Sequence, residues 1–295
     1  MADWTRKELR EMETDTLTNV DLMVFSRSSG EGEQYEDCSR NSKLANIRSV
    51  SVYTYYDILE ELGRGAFGVV HQCVEKDSGR KYLARFIRTP YPVDKATVKN
   101  EMRIMSQLHH PSIVHLKEAF EDYHEMILIM EFLYGEDLFS RIAVQDDRTE
   151  ADVIKYIQQI CEGLKHMHEK NIVHLDLKPG NVVCDSINHY HVKMIDLGLA
   201  AELNPEQIVK VTTANSEFTA PEIVVSEPIG FYTDMWAVGV LAYVLLSGIS
   251  PFAGEDEEEA RQNVSRCVWD FSDQCFTELS LESKDFIRRL LVRNP

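Results

Sequence analysis

Apolar positions divide the chain into stretches of different period. Over residues 1–50 they are sparse: the one apolar cluster is Leu22-Met23-Val24-Phe25, and Ser28-Ser29-Gly30-Glu31-Gly32-Glu33 occupies the centre. Such a composition buries too little surface to offset the entropy of ordering, so a flexible tail or interdomain linker is expected there. Trp4 and the Val24-Phe25 pair are the residues through which it would dock on the domain or on a partner. Ile58 to Val74 reads as strand, turn, strand. Lys81 to Ile87 and the apolar run Glu125 to Leu133 read as further strands. Between them, Val98, Met102 and Met105 fall on one face of a helix predicted over Val93 to Leu108, and His109-His110-Pro111 ends it in a turn. A long amphipathic helix is predicted over Glu150 to Lys170, with Val153, Ile157, Ile160, Leu164 and Met167 as its buried stripe. The longest apolar run, Met235 to Ile249, contains Gly239 and is shorter than the roughly 20 residues of a membrane span, so it reads as a buried helix.

The chain's 295 residues suit one large two-lobed domain or two ordinary ones. A formal net charge of -18 argues against nucleic acid or an anionic membrane as partner, and suits basic peptide segments. The acidic run Glu255-Asp256-Glu257-Glu258-Glu259 is either a solvated helix start or a docking site for such a peptide. The six cysteines, Cys38, Cys73, Cys161, Cys184, Cys267 and Cys275, form no CxxC pair and read as reduced thiols of a cytoplasmic protein. Met1 to Arg10 is polar and charged, unlike a signal peptide.

The chemistry concentrates between His174 and Asp196. The string His174-Leu175-Asp176-Leu177-Lys178-Pro179-Gly180-Asn181 is followed, after an apolar-rich interval, by Met194-Ile195-Asp196-Leu197-Gly198. This set suits phosphoryl transfer from a nucleotide: Asp176 as proton acceptor, Lys178 on the moving phosphoryl group, Asn181 and Asp196 as hard oxygen ligands to Mg²⁺. Upstream, Gly63-Arg64-Gly65-Ala66-Phe67-Gly68 lets backbone N–H groups approach phosphate, with Phe67 as a cover. The same pattern opens dinucleotide folds, but here a strand follows rather than a helix.

These motifs resemble the eukaryotic protein kinases, from about Val52 to Pro295. The phrases Ile160-Cys161-Glu162-Gly163, His174-Leu175-Asp176 and Phe231-Tyr232-Thr233-Asp234-Met235-Trp236 are close to twitchin's, so the chain resembles the giant muscle kinases, twitchin and titin, of the calmodulin-dependent kinase group. The resemblance implies an α+β, bilobal fold: a β-rich small lobe over residues 51–133 and a helical large lobe over 134–295. It implies ATP and Mg²⁺ as cofactors and a protein Ser/Thr substrate or partner, not identified by the sequence. It implies a sarcomeric location as well. By resemblance, Leu62, Gly63, Gly65, Gly68, Val70 and Val183 line the nucleotide, and Met130 is the gatekeeper. Glu131 and Leu133 offer backbone groups to adenine, Asp137 sits near the ribose, and Asp234 bonds the catalytic-loop backbone. Ser51 to Tyr56 is similar to the tyrosine-bearing linker entering twitchin kinase, or is an edge strand with exposed aromatics. Phe218 to Glu222 matches the family's A-P-E ending. The family's last helices, the Arg that pairs with Glu222 and an autoinhibitory, calmodulin-binding tail would lie beyond Pro295, so the chain reads as a fragment or shortened product. Calmodulin regulation is implied only for a longer chain.

Several positions depart from the family pattern. Arg85 stands where the phosphate-positioning Lys is expected, with Glu101 as its ion-pair partner; a planar guanidinium clamps a carboxylate well and misplaces a nucleotide. Leu83 replaces the Ala that roofs adenine, so either the slot is crowded or it widens. Leu175 replaces an Arg that pairs with a phosphorylated activation loop. Gly180 replaces a Glu that reads basic substrate side chains. Leu197 replaces Phe, and Ala214-Asn215 replaces Gly-Thr. The expected activity is weakened phosphotransfer; the alternative is a pseudokinase scaffold of a muscle filament protein.

Overall fold

The computed structural model describes residues 47–65, 68–144, 149–185, 190–204 and 217–294. Ala66 and Phe67, Ala214-Asn215-Ser216 and the segment before Ile47 lie outside the described residues.

The small lobe is a six-stranded sheet in the order β1-β5-β6-β4-β3-β2. Its strands are β1 (Ile47–Arg48), β2 (Tyr56–Gly65), β3 (Gly68–Glu75), β4 (Lys81–Arg88), β5 (Leu116–Glu121) and β6 (Glu125–Glu131). Period-2 alternation gives the sheet two apolar faces. Val70, Leu83, Leu128 and Met130 point into the large central core. Tyr56, Cys73, Ala84, Phe120, Ile127 and Ile129 form a second cluster on the other face. Helix α1 (Pro92–Met105) covers the central face, and Val98, Met102 and Met105 on its inner side are buried as their spacing predicts.

β1 departs from the reading of residues 1–50 as one tail. Ile47 and Arg48 pair in parallel with Ala119 and Phe120. Arg48 Nε lies 2.6 Å from a carboxylate oxygen of Glu118, and its guanidinium stands 4.4 Å from the Tyr55 ring centre. Tyr56 is wholly buried and donates to Glu118 at 2.6 Å, whereas Tyr53, in a 3₁₀ turn (Val52–Thr54), is exposed. The entry segment is thus neither a plain linker nor a plain edge strand.

A short strand, β7 (Gly135–Asp137), and α2 (Leu138–Val144) lead into the large lobe. There α3 (Glu150–His168) buries its predicted stripe against the apolar helix α5 (Phe231–Ser247). A Cβ on Gly239 of α5 would come within 2.8 Å of Leu290 Cβ in α7 (Leu281–Leu290), so only glycine allows that crossing. Between α5 and α7 lies α6 (Glu257–Arg266), whose N-cap Asp256 accepts from the Glu259 amide, so the acidic run does start a helix. α4 (Pro221–Val224) precedes α5. Strands β8 (Ile172–Val173), β9 (Val182–Asp185), β10 (Val192–Met194) and β11 (Ala201–Glu202) form two small ladders, β10-β9-β7 and β11-β8, around the catalytic loop. No described helix is long and apolar enough to cross a membrane.

Candidate active site

The catalytic loop follows directly from β8. Asp234, at the start of α5, takes the backbone N–H of His174 at 2.9 and 3.1 Å and that of Leu175 at 2.9 Å. Leu175 is held at φ +67, a left-handed conformation that costs a non-glycine residue roughly 1–2 kcal/mol. His168 of α3 and Phe231 of α5 secure the anchor. His168 Nε2 lies 2.7 Å from Asp234, and its ring stacks on Phe231 at 4.7 Å. Asp234 was legible from the motif; His168 was not, because a polar residue at a helix end breaks no hydrophobic period.

The β9–β10 hairpin brings the two metal-ligand candidates together. Val182 pairs with Met194, so Asn181 and Ile195 meet at the hairpin's open end. The Ile195 N–H donates to the Asn181 carbonyl at 3.0 Å, and Asp196 follows immediately. Asn181 donates through Nδ2 to both the carbonyl and the carboxylate of Asp176, each at 2.8 Å. Its Oδ1 is buried with no partner among the described residues. One oxygen of Asp196 accepts from Gly198 N–H at 2.9 Å. An amide oxygen denied water and partner beside a nearby carboxylate suits a hard divalent cation, so these residues fit Mg²⁺.

Lys178 Nζ stands 3.2 and 3.1 Å from the two oxygens of Asp176. Burial pushes the Asp176 carboxyl above its ordinary value; Lys178 opposes that shift and Asp196 reinforces it. Asp176, Lys178, Asn181 and Asp196 are therefore one constellation.

The nucleotide-side residues lie on the inner face of the small lobe. Val70 is opposite Arg85, and Leu83 opposite Met130. Arg85 Nη1 lies 3.0 Å from Glu101, with both side chains buried. Burial raises the Glu101 pKa; Arg85 draws it down and Asp196 pushes it up. Leu62 packs at the edge of the core, and Gly63 pairs with Val70 across the hairpin. Gly65 pairs with Gly68, which has φ +121; a Cβ there would collide with the Phe86 carbonyl oxygen. Gly68 is thus required by packing on β4, whatever else it does for phosphate.

Val70, Leu83, Met130, Leu133 and Val183 all belong to the continuous buried core. Leu83 has no exposed surface. Asp137 is buried, and its carboxylate accepts from Ser140 N–H at 2.8 Å and Ser140 Oγ at 2.6 Å, which caps α2. The Glu131 side chain is held by the His115 N–H at 2.8 Å and by Lys193 at 2.9 Å. Sequence reasoning assigned both residues to nucleotide and missed these partners, which lie on other elements. Glu222 is buried and accepts from Thr233 at 2.6 Å.

The comparisons with known proteins agree with this geometry. The model of the protein kinase domain matches residues 56–295. Human myosin light chain kinase family member 4 is 42% identical over 254 residues, covering 85% of this chain and 66% of that protein. The titin homolog of Caenorhabditis elegans is 41% identical over 272 residues, 90% of this chain and 2% of that protein. The solved twitchin kinase region from C. elegans superposes with a TM-score of 0.83 at 48% identity, covering 86% of this chain and 45% of that one. The chain therefore spans less than two thirds of these relatives. It belongs to the protein kinase domain family, with the myosin light chain, twitchin and titin kinases as its relatives.

Proposed function

We propose that the chain is a slow, Mg²⁺-dependent serine/threonine protein kinase domain whose nucleotide end is weakened at Arg85 and Leu83. The observation that carries the reading is the intact constellation at the catalytic loop. Asp176 is aimed by Asn181 and Lys178 at 2.8–3.2 Å, beside an Asn181 oxygen with no partner among the described residues. Asp176 would take the proton of the attacking hydroxyl. Lys178 would neutralise charge on the transferring group. Asn181 and Asp196 would hold Mg²⁺, which supplies charge neutralisation at the phosphates when bound. Arg85, engaged by Glu101 at 3.0 Å, would orient phosphate less well than a slender ammonium. Losing such a contact in a closed site costs roughly 10²–10³ in rate. The relatives' names and their kinase regions support a protein substrate and a sarcomeric setting.

The buried state of Leu83 favours a second reading, a pseudokinase that binds partners without nucleotide. Thermal shift or calorimetry with ATP, with and without Mg²⁺, separates the two, on the native chain and on Arg85→Lys. Mg²⁺-dependent binding by the native chain, with phosphotransfer rising about 10²-fold or more in Arg85→Lys, is expected of the kinase. Absence of binding in both proteins would overturn it in favour of the scaffold.

A further inference from the structure

We infer that Arg103 and Glu202 form a clasp between the lobes that keeps α1 where Glu101 meets Arg85, which makes both of them positioning residues. The inference deepens the kinase reading and rests on it for its catalytic consequence, though not for the clasp itself.

Arg103 lies in the last turn of α1, and its Nη1 stands 2.6 Å from a carboxylate oxygen of Glu202. Asn100 Oδ1 accepts from the Nε and Nη2 of the same guanidinium at 3.4 and 3.2 Å, which orients it before Glu202 is engaged. Ser106 Oγ and Gln107 Nε2 both donate to the Arg103 carbonyl, so the helix end that carries Arg103 is itself tied down.

Glu202 is equally well fixed, but to the other lobe. It closes β11, whose register sets Ala201 opposite Val173 and Glu202 opposite Ile172. The Leu203 N–H continues the contact to the Asn171 carbonyl at 2.7 Å. β8 runs directly into His174 and the loop that carries Asp176. Glu202 therefore moves with the catalytic loop.

Two residues on a helix are separated by about 200° around its axis. Glu101 thus faces the core and Arg85 while Arg103 faces out toward Glu202. Lys95 and Lys99, nearer the start of α1, instead reach Glu121 of the small lobe at 3.2 and 2.8 Å. One end of the helix is bound to its own lobe, and the other is bound to the catalytic loop. A tilt of α1 that parts Arg103 from Glu202 also draws Glu101 off Arg85. With Leu175 where many protein kinases carry an Arg that addresses a phosphorylated loop, a carboxylate already encoded in β11 would give α1 its electrostatic hold without a phosphate. Both side chains are half exposed, so the clasp is salt-sensitive and shifts an equilibrium several-fold without switching it off.

The test uses the full chain with Arg103→Glu, Glu202→Arg and the double exchange. Amide hydrogen exchange in α1 is expected to speed up about 3- to 10-fold in each single variant and to return within about two-fold of native in the double. Exchange in α5 should stay native throughout, which separates the effect from a general loss of fold. Phosphotransfer kcat should fall by a similar factor in the singles, with KM for the peptide unmoved and recovery in the double. The gap should narrow at about 0.5 M NaCl. Native exchange of α1 in the singles, or a double variant no better than either single, would overturn the clasp. The exchange measurement needs no catalysis, so failure of both the native chain and Arg85→Lys to bind Mg²⁺ and nucleotide would remove the kinase reading and leave the clasp to be decided by exchange.

Discussion

The two ends of the cleft are built on different terms. At the catalytic loop nearly every functional group is also a structural group. Asp234 holds two backbone amides, Asn181 holds Asp176, and the hairpin register sets Asn181 beside Asp196. Few side chains other than those present would satisfy so many constraints at once. At the roof of the cleft, fold and chemistry come apart. Arg85 pairs with Glu101 at 3.0 Å, and Leu83 fills the core with no exposed surface. The small lobe is well packed with residues that the kinase reading finds awkward for a nucleotide. Good packing is therefore no guarantee of binding, because a core accepts extra bulk that a flat ligand does not.

Three variants would break or sharpen this contrast. The largest effect is expected from Asp176→Asn, which should lower phosphotransfer by about 10²–10⁴-fold while leaving melting temperature and nucleotide affinity close to native. The pH profile sharpens the point. In the proposed mechanism Asp176 is a base when ionised, and burial raises its pKa, so the acid limb of kcat should lie above the ordinary aspartate value of about 3.9. The active form is complete above that raised value and is lost as pH falls through it. By the same shift the protonated form favours folding, a contribution present at low pH and lost as pH rises through the folded-state pKa.

Leu83→Ala should act in opposite directions at the two levels. Denaturant melts should show a loss of about 2–5 kcal/mol, as for other buried leucines, while ATP affinity rises. Loss of stability with no gain in affinity would mean that Leu83 is not what limits nucleotide entry.

Glu150→Ala should give the smallest effect. Glu150 accepts from the hydroxyls of Ser280 and Ser283 and from the Ser280 N–H, which ties the start of α7 to the start of α3. Those bonds hold its pKa below the ordinary value, with the Ser280 hydroxyl contributing most. The stability involved is present above the unfolded-state pKa and fades as pH falls through the lower, folded-state one. A cost near 1 kcal/mol at neutral pH is expected, shrinking in acid, read from urea midpoints.

Much of this architecture was legible in the chain. The stripes of α1 and α3 followed from period alone, and the polar string from His174 to Asp196 marked the site. Element ends shifted by a few residues: the helix expected from Met235 starts at Phe231, because Gly230 and Thr233 cap it earlier than the apolar run begins. β1 was invisible, since two residues in a parallel pairing carry no pattern. The attachment of His168 to Asp234 was hidden as well, because it joins residues 66 positions apart and depends on tertiary packing; that of Asp137 to Ser140 is a local helix cap that the nucleotide assignment passed over. The Arg103–Glu202 pair spans 99 positions, too far for any local signature.

The β9–β10 hairpin carries a consequence for engineering. It brings Asn181 and Asp196 together at one end of its ladder, while at the other end the Asp185 N–H donates to the His191 carbonyl at 2.9 Å. Chain length at a closed end enters stability only logarithmically, each doubling costing roughly 0.6 kcal/mol. A reporter peptide or small domain spliced between those two residues would hang from the hairpin like a flag from a pole, with Asn181 and Asp196 at the base undisturbed.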